Sequence, residues 1–374
     1  MIYFDHNATT PLRPEVRAAM EPFLGDIFGN PSSPHAAGRQ ARAAVEMARQ
    51  QVASLLGASP QELHFTSGGT EADNWALCGH DQIVTSAVEH PAVLFSAQAR
   101  RDLGGDVTFI PVDEEGRIDP AAVVDIVGSS DAGVVSLILA NNETGTIQPL
   151  AQIGSRLRQR SVLFHIDAVQ AFGKIPVDVD RLGADLMSLS AHKINGPKGV
   201  GALYVRPGTV LAPWTHGGGH DGNLRAGTEN VAGIVGFGAA AALRQTDMEE
   251  DAGRLSGLRD RLERGVLESI EDVVINGSRS HRLPGTLNIS FRRVEAESIL
   301  LGLDLEGIAV SSGSACTSGT AEPSHVLLAM GREPRLAAGA IRFSLGYQNT
   351  AAEVDGVVEL LTPIIQRLRA LSVY

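Results

Sequence analysis

The sequence contains few cysteines, few aromatic side chains and no long apolar run. Only two cysteines, Cys78 and Cys316, occur in 374 residues, and aromatic residues make up 5% of the chain. Two distant cysteines exclude a disulfide-rich fold and favour a reducing compartment. No stretch of about 18 consecutive apolar residues is present, and the N-terminus has no basic region followed by an apolar one. We therefore expect a cytoplasmic protein that neither spans nor binds a membrane.

Positive charge is also scarce. The chain carries 31 Lys and Arg side chains against 43 Asp and Glu, which gives a net charge of -12, and no Lys/Arg run stands out. This balance argues against nucleic acid as a partner and favours small metabolites. A length of 374 residues exceeds the usual size of one hydrophobic core, so we expect two domains.

Short β-type runs alternate with helical patterns from residue 63 onward. Helices are predicted over 36–56, 70–79, 91–103, 119–128 and 149–160, and β-type runs over 63–66, 82–86, 107–111, 134–140, 162–167, 186–190 and 201–205. This alternation predicts a mainly parallel sheet of seven strands with helices on both faces. After a long helical region at 232–270, runs at 287–291, 308–311 and 341–345 predict a smaller α/β domain. Many turn formers in residues 1–35 predict an arm that lies over another part of the chain.

Polar groups follow five of the seven β-type runs. Thr66–Glu71 is a small-residue loop that opens a helix, where free backbone N–H groups and the helix dipole can hold a phosphate. The other four segments are Glu89–His90, Asn141–Gly145, Asp167–Gln170 and Ser190–Lys193. Each has an ordinary explanation, such as a helix cap for Asp167 or a solvated turn for Lys193, although a lysine amine also forms Schiff bases with carbonyl compounds. Because ligands bind at the carboxyl ends of parallel strands, the five segments together indicate one site.

Three further features lie outside these strand ends. Cys316 lies among small flexible residues, which give a thiol the exposure and reach of a nucleophile, whereas Cys78 fits an ordinary buried position in a helix. Arg342, on a predicted strand, either forms a surface ion pair or binds a carboxylate. His216 and His220 could be metal ligands, but a third ligand with fixed spacing is missing, so we favour an ordered loop and predict no metal site.

These motifs resemble, in family order and over essentially the whole chain, the cysteine desulfurases of the NifS/IscS type. Those enzymes belong to the class-V aminotransferases and use pyridoxal 5'-phosphate (PLP). The segments that carry the resemblance are Phe4–Pro11, Gly29–Ser33, Thr66–Asn74, Glu89–His90, Asn141–Gly145, Asp167–Gln170, Ser190–Lys193, His216–His220 and Ser312–Cys316.

The resemblance implies an α/β protein with the PLP-dependent transferase fold (fold type I). A large PLP-binding domain over 15–250 would contain the mainly parallel seven-stranded sheet, and a small domain formed by 1–14 and 251–374 would carry the Cys316 loop. The resemblance further implies a homodimer, L-cysteine as substrate, and a sulfur-acceptor protein, either an iron–sulfur scaffold or a thiolation enzyme. The loop is similar to that of the long-loop subgroup, but the chain stops at Tyr374 without the tail that those members often use to dock a scaffold, so the acceptor stays open.

The resemblance also implies roles for individual residues. Lys193 would form the Schiff base with PLP, and Cys316 would accept the substrate sulfur. His90 would stack on the ring and handle protons, Asp167 would pair with the pyridinium nitrogen, and Gln170 would bond the ring hydroxyl. The remaining expected contacts are with the phosphate, from Gly69, Thr70, Ser190, His192 and Thr228 of the other subunit, and with the substrate side, from Asn142, Arg342 and Asn30.

The implied reaction converts L-cysteine to L-alanine and leaves a persulfide on Cys316. Lys193, displaced by the substrate, would remove the Cα proton, and the Cys316 thiolate would attack the substrate sulfur. Two alternatives stay open at this point. One is a selenocysteine lyase or another class-V lyase or aminotransferase without persulfide chemistry. The other is a catalytically idle scaffold, against which the joint presence of Lys193, Asp167, His90 and Cys316 argues.

Overall fold

The structure is a computed structural model that describes residues 1–128, 133–218, 223–312 and 323–371. Its helices are Pro14–Met20 (α1), Ala36–Leu56 (α2), Gly69–Leu77 (α3), Pro91–Asp102 (α4), Pro120–Val127 (α5), Leu150–Leu157 (α6), Val179–Leu182 (α7), Val231–Ser269 (α8), Ala296–Leu305 (α9), His325–Ala329 (α10), Pro334–Ala338 (α11) and Ala351–Leu371 (α12). Among the described residues, none of these helices is long and apolar enough to cross a bilayer.

The strands fall into three sheets. They are Ile2–Tyr3 (β1), Leu63–Thr66 (β2), Gln82–Ser86 (β3), Asp106–Ile110 (β4), Val134–Ile138 (β5), Leu163–Asp167 (β6), Leu186–Ser190 (β7), Gly201–Val205 (β8), Val273–Asn276 (β9), Thr286–Phe291 (β10), Ile308–Ala309 (β11), Ser311–Ser312 (β12) and Ala340–Ser344 (β13). Seven of them form the large sheet, in the order β2-β8-β7-β6-β5-β3-β4. Strands β3 to β7 pair in parallel, whereas β8 is antiparallel to both β2 and β7. The predicted mainly parallel sheet of seven strands is confirmed.

Side chains alternate between the two faces of this sheet, as the two-residue repeat of a strand requires. Leu186 of β7 and Leu203 of β8 pack with Trp75 of α3. Their neighbours Met187 and Tyr204 point to the opposite face, into the larger core that also contains residues of α2, α6 and α8. Because helices cover both faces, these strands are apolar along their length, and polar side chains collect at the strand ends.

A second sheet, in the order β12-β13-β10-β9, is antiparallel throughout. Its core contains Phe291 and Phe343 together with residues of α8, α9 and α12. Helix α8 belongs to both cores, with Phe237 in the first and Leu262 in the second. The predicted domain boundary at residue 250 falls inside this helix, and the division into 15–250 against 1–14 with 251–374 remains a prediction.

The N-terminal residues cross from the second core to the large sheet. Strand β1 pairs in parallel with β11, and the backbone N–H of His6 donates to the carbonyl of Ser344 at 3.0 Å. A few residues later, the backbone N–H and the hydroxyl of Thr10 donate to the carbonyl of His192 at 3.0 and 2.7 Å. Residues 5–10 therefore lie over the end of β7, which is the arm that the turn formers predict.

Two predictions about local structure are wrong. The run at 308–311 is not one strand, because β11 pairs with β1 whereas β12 pairs with β13. Cys78 is exposed and not buried. Helix α3 ends at Leu77, one residue before this cysteine, so the predicted helix was too long and the thiol lies beyond the buried face.

Candidate active site

A cavity of about 390 Å³ lies at the carboxyl ends of β5, β6 and β7. Each of the five predicted strand-end segments contributes to its lining. The predicted site residues that line it are Gly69, Thr70, His90, Asn142, Asp167, Gln170, Ser190, His192, Lys193 and Arg342. The structure therefore places the five segments around one cavity, and the roles of their residues remain predictions.

Lys193 ends a short 3₁₀ turn, Ala191–Lys193, that follows β7 directly. Its ammonium group donates to the carbonyl oxygens of Asn7 and Ala8 at 2.6 and 2.8 Å. The side chain is half-buried, so the ordinary interpretation of a solvated lysine in a turn is wrong. The turn and the N-terminal arm together hold the amine at the wall of the cavity.

Asp167 is the last residue of β6 and is buried. One carboxylate oxygen accepts the backbone N–H of Val169 at 2.9 Å. Burial raises the pKa of Asp167 to about 6, although that N–H bond and the positive charge of Lys193 act in the opposite direction. For the neighbouring Asp73, burial and then the charge of Asp167 raise the pKa well above its usual value. A buried carboxylate of this kind is stabilised by a cationic partner such as a protonated ring nitrogen.

Gln170 directly follows Val169 in the chain, and both the nitrogen and the oxygen of its side-chain amide form hydrogen bonds. Its Nε2 donates to the carbonyl oxygen of Asn7 at 2.8 Å. Its Oε1 accepts from the Nζ of Lys174 at 2.7 Å. The amide is therefore held in one orientation beside the carbonyl that Lys193 also contacts.

The other end of the cavity offers hydrogen-bond donors. Helix α3 begins at Gly69, and no side chain caps its first turn. A side chain at Gly69 would collide with Val169, since a Cβ there would lie 2.6 Å from Cγ2 of that residue. The hydroxyl of Ser190 is buried and has no partner among the described residues. An uncapped helix N-terminus and an unsatisfied hydroxyl fit a phosphate group, and this end of the cavity therefore fits the phosphate of PLP.

His90 caps helix α4 with its imidazole. The ring Nδ1 accepts the backbone N–H of Ala92 at 3.2 Å, which leaves the proton of the neutral ring on Nε2. Burial, and then the positive charges of Lys193 and His325, lower the pKa of His90 to about 4. For His192, burial and then Lys193 likewise lower the pKa to about 4. Both imidazoles are neutral at physiological pH.

Arg342 projects from β13 and is buried, with 2% of its surface exposed. Its guanidinium donates to the carbonyl of Asn142 at 3.1 Å and to the carboxylate of Asp5 at 2.8 Å. Its Nε has no partner among the described residues. The alternative of a surface ion pair is wrong, because the guanidinium is desolvated and lines the cavity, where it can bind a carboxylate.

Two buried acids near the cavity received no role from the sequence. Burial raises the pKa of Glu89 to about 8 and that of Glu143 to about 7. The hydroxyl of Ser86 donates to Glu89, and the hydroxyl of Ser324 donates to Glu143. Both acids lie inside predicted strand-end segments, so the sequence indicated that they lie near the site. It did not indicate which hydroxyl groups bind them.

Asn7 is a further residue of the site that the sequence-based reasoning missed. Its carbonyl accepts from Lys193 and Gln170, and its Nδ2 donates to the carbonyl of Asn142 at 3.1 Å and to the hydroxyl of Thr286 at 3.0 Å. The segment Phe4–Pro11 contributes to the resemblance, yet nothing in its pattern shows that the arm reaches the cavity. Asn7 therefore connects the amine of Lys193 and the amide of Gln170 to Thr286 of the second sheet.

Two predicted site residues, Asn30 and Thr228, are not among the described residues that line the cavity. Asn30 is exposed and accepts the backbone N–H of Ser32 at 2.9 Å. Thr228 lines a separate cavity. Both assignments remain predictions. Cys316 and His220 lie outside the described residues.

The structure does not test the potential metal site at His216 and His220, because His220 lies outside the described residues. His216 is exposed. Within the described ranges, no group of three or more His, Cys, Asp or Glu side chains is arranged to hold a metal ion.

Comparison with known proteins agrees with this geometry. A cysteine desulfurase IscS from Dictyoglomus turgidum is 49% identical over 100% of this chain and 96% of its own length. A solved structure of a NifS-like protein superposes with a TM-score of 0.90 at 38% identity and covers 98% of this chain and 99% of its own. The structure of SspA in complex with cysteine superposes with a TM-score of 0.81 at 33% identity, covering 92% and 99%.

The fold and these similarities define a PLP-dependent enzyme of fold type I. More narrowly, residues 2–357 match the aminotransferase class-V family, and the chain belongs to that family. The sequence-based assignment to the PLP-dependent cysteine desulfurases of this family is confirmed, as are the cofactor and the fold.

Proposed function

We propose that this protein is a cysteine desulfurase in which Cys316 takes the sulfur of L-cysteine, releases L-alanine and passes the sulfur to an acceptor protein. The observation that carries the proposal is the convergence of Lys193, Asp167 and Arg342 on one cavity. A nucleophilic amine, a partner for a ring nitrogen and a carboxylate-binding group are the three elements that PLP chemistry on an amino acid requires.

Bound PLP supplies an electron sink for the carbanion formed at the substrate Cα. Asp167 would pair with the protonated ring nitrogen, and Gln170 would donate to the ring oxygen. Ser190 and the first turn of α3 would bind the phosphate. Held by these residues, the cofactor would lie beside the amine of Lys193.

The substrate is oriented through its carboxylate. Arg342 binds that group with a buried guanidinium, where a charge-assisted hydrogen bond is stronger than at a solvated surface. Lys193 then takes the Cα proton as a general base and returns it later as a general acid. The neutral imidazole of His90 lines the same cavity and carries on Nε2 a proton that it can donate there.

The sulfur transfer is balanced without an external oxidant. The C–S bond of L-cysteine breaks with its electron pair left on the substrate carbon, and an S–S bond forms to the Sγ of the Cys316 thiolate. The proton that Cys316 released on becoming a thiolate is balanced by the one that replaces sulfur on the substrate, which leaves as L-alanine. A thiol reductant or the acceptor protein then cleaves the S–S bond. Cys316 begins as a thiolate, the nucleophilic form of cysteine.

The described residues that precede and follow the segment with Cys316 support its access to the cavity. Strand β12 ends at Ser312, and its Ser311 pairs with Arg342 of β13, which lines the cavity. Cys316 follows Ser312 by four positions, a span of at most about 13 Å. After the segment, the hydroxyl of Ser324 donates to Glu143, the neighbour of Asn142 in the cavity wall.

The proposal extends to a cytoplasmic homodimer that delivers sulfur to an iron–sulfur scaffold or a thiolation enzyme. Large apolar side chains remain exposed on the single chain, with Phe28 at 82%, Leu24 at 68% and Phe95 at 66% of their surface. Exposed apolar surface of this kind is typical of an interface between subunits. Thr228 lines a second cavity together with Ser67 and other residues, which suits a contribution to the site of the other subunit.

The two cysteines of the chain offer a matched test. Purified protein with PLP, L-cysteine and a thiol reductant should release alanine and sulfide in equal amounts. Cys316→Ser should bind PLP normally and lose sulfide release, whereas Cys78→Ser, at an exposed position, should keep both. Sulfide release that survives in Cys316→Ser would overturn the persulfide assignment and favour a class-V lyase.

A further inference from the structure

Lys174 is a lysine near the cavity to which neither the motifs nor the proposed reaction gives a role. It follows Gln170 by four residues and lies in the turn after β6. Lys174 lines a smaller neighbouring cavity, while Gln170 lines the one assigned to PLP, and Asn7 and Lys193 line both. Lys174 and Gln170 therefore form part of the wall between the two cavities.

Two hydrogen bonds from Lys174 determine how two amide groups are oriented. Its Nζ donates to Oε1 of Gln170 at 2.7 Å and to Oδ1 of Asn7 at 3.0 Å. A charged lysine Nζ donates hydrogen bonds and cannot accept them, so each amide must turn its oxygen toward Lys174. The Nε2 of Gln170 then faces the opposite way, where it donates to the carbonyl of Asn7 at 2.8 Å. That bond uses one of the two hydrogens on Nε2.

We propose that Lys174 is a positioning residue that locks the amide of Gln170 with its N–H side toward the cofactor. The inference rests on the proposed function, because it assigns the second hydrogen of Nε2 to the ring oxygen of PLP next to the aldehyde carbon. Without Lys174, the amide can rotate and present its oxygen, and an amide oxygen repels a ring oxygen that carries negative charge.

The surroundings of Lys174 are strongly cationic. Burial, followed by the charges of Lys193, Arg342 and Arg244, lowers the pKa of Lys174 well below its usual value. The guanidinium of Arg244 is itself paired with Asp251 at 2.8 Å. The other titratable groups that line the same two cavities are His6, Asp73, His90, Asp167, His192 and Tyr347. The carbonyl of Asn7 can only accept from Nε2 of Gln170, so the amide oxygen faces Lys174 in either protonation state of the lysine.

The consequence appears in the pH titration of the bound cofactor. The negative ring oxygen stabilises the protonated nitrogen that joins Lys193 to PLP, and a donor to that oxygen reduces this stabilisation. Loss of the donor should therefore raise the pH midpoint at which the visible absorption band changes. A hydrogen bond to a charged group corresponds to a shift of about one pH unit.

The test compares Lys174→Met, which keeps the length but removes the donor, with Lys174→Arg, which keeps a donor. We expect the midpoint to rise by about one unit in Lys174→Met and to stay within about 0.3 units of wild type in Lys174→Arg. The affinity of the apoprotein for PLP should fall about tenfold in Lys174→Met only. Thermal unfolding of the apoproteins checks that both variants fold.

A double-mutant cycle with Gln170→Leu separates positioning from a direct charge effect. If Lys174 acts through Gln170, adding Lys174→Met to Gln170→Leu should shift the midpoint further by less than about 0.3 units. An unchanged midpoint in Lys174→Met, or a shift that is fully additive in the double variant, would overturn the proposal. A wild-type protein that binds PLP but produces no alanine from cysteine would instead refute the proposed function. The pH midpoints of the Lys174 and Gln170 variants could still be compared in that case, because they depend only on bound PLP.

Discussion

The ammonium group of Lys193 lies 2.6 Å from the backbone carbonyl oxygen of Asn7, although 186 residues separate the two in the chain. The same carbonyl accepts from Gln170, so an N-terminal arm supplies the point at which the amine and the amide meet. The arm is thus part of the site and not only a cover over it. A lysine held by two carbonyls is oriented for chemistry at the cavity.

The first prediction concerns Lys193. Lys193→Ala should abolish the visible band of the bound cofactor and lower alanine formation by at least about a thousandfold, because the base at the Cα proton is lost. The control is Lys198→Ala, which changes an exposed lysine five residues away in the same loop. Absorption spectra and alanine assays measure both effects. A normal spectrum in Lys193→Ala would remove this residue from its role.

The second prediction concerns substrate binding by Arg342. Arg342→Lys keeps the charge but loses the fork of donors, so we expect KM for L-cysteine to rise by about 10- to 100-fold. The spectrum of the bound cofactor should stay unchanged, since the ring contacts lie elsewhere. Steady-state kinetics across a range of cysteine concentrations provides the measurement. A change confined to kcat, with KM unaltered, would argue against a carboxylate-binding role.

The third prediction concerns the pH dependence of stability. Burial raises the pKa of Glu89 to about 8, so the folded protein keeps a proton that the unfolded chain releases near its ordinary, lower pKa. Stability from this group is present at low pH and is lost as the pH rises toward 8. Between pH 6.5 and 8 the loss amounts to about 1–2 kcal/mol.

Glu89→Gln cannot lose a proton and should therefore flatten this slope. Urea unfolding at pH 6.5 and pH 8 measures it, and Glu114→Gln, at an exposed position, should retain the slope of the wild type. Buried histidines also take up protons on unfolding near pH 6.5, and this contribution is the same in all three proteins, so it cancels when their slopes are compared. Equal slopes in wild type and Glu89→Gln would show that Glu89 is ionised in the folded protein.

The fourth prediction concerns the subunit that supplies Thr228. Heterodimers that combine one Lys193→Ala chain with one Thr228→Val chain would contain one intact site if Thr228 acts across the interface. At limiting PLP they should recover about half of the wild-type activity per dimer, by simple counting of sites. Each parent homodimer supplies the control. Heterodimers no more active than the Thr228→Val parent would place the threonine in the site of its own chain, and a monomer in solution would refute the dimer.

The sequence was sufficient for the parts of the site that follow strands. Asp167, Ser190 and Lys193 come directly after buried β-type runs, and parallel pairing brings such ends to one edge. The residue types alone then indicated a phosphate at Thr66–Glu71 and a carbonyl carbon at Lys193, whereas the ring nitrogen at Asp167 came only from the resemblance. The resemblance assigned these roles, and the cavity is consistent with them.

What the sequence could not show depends on contacts between distant segments. The position of Asn7 requires the arm to pass from one sheet to the other, and no local pattern encodes that path. The bond between Glu143 and Ser324 joins residues 181 positions apart. Cys78 was misplaced for a smaller reason, since helix ends are uncertain by one or two residues and this thiol lies just past one.

The central claim is that sulfur passes through Cys316, and mass spectrometry of the protein tests it most directly. Protein treated with one equivalent of L-cysteine, without a reductant, should be digested and its cysteine peptides compared. The account predicts that the peptide with Cys316 gains the mass of one sulfur atom, that the peptide with Cys78 does not, and that Lys193→Ala shows neither. Sulfur on Cys78 alone, or alanine formation without any persulfide, would contradict it.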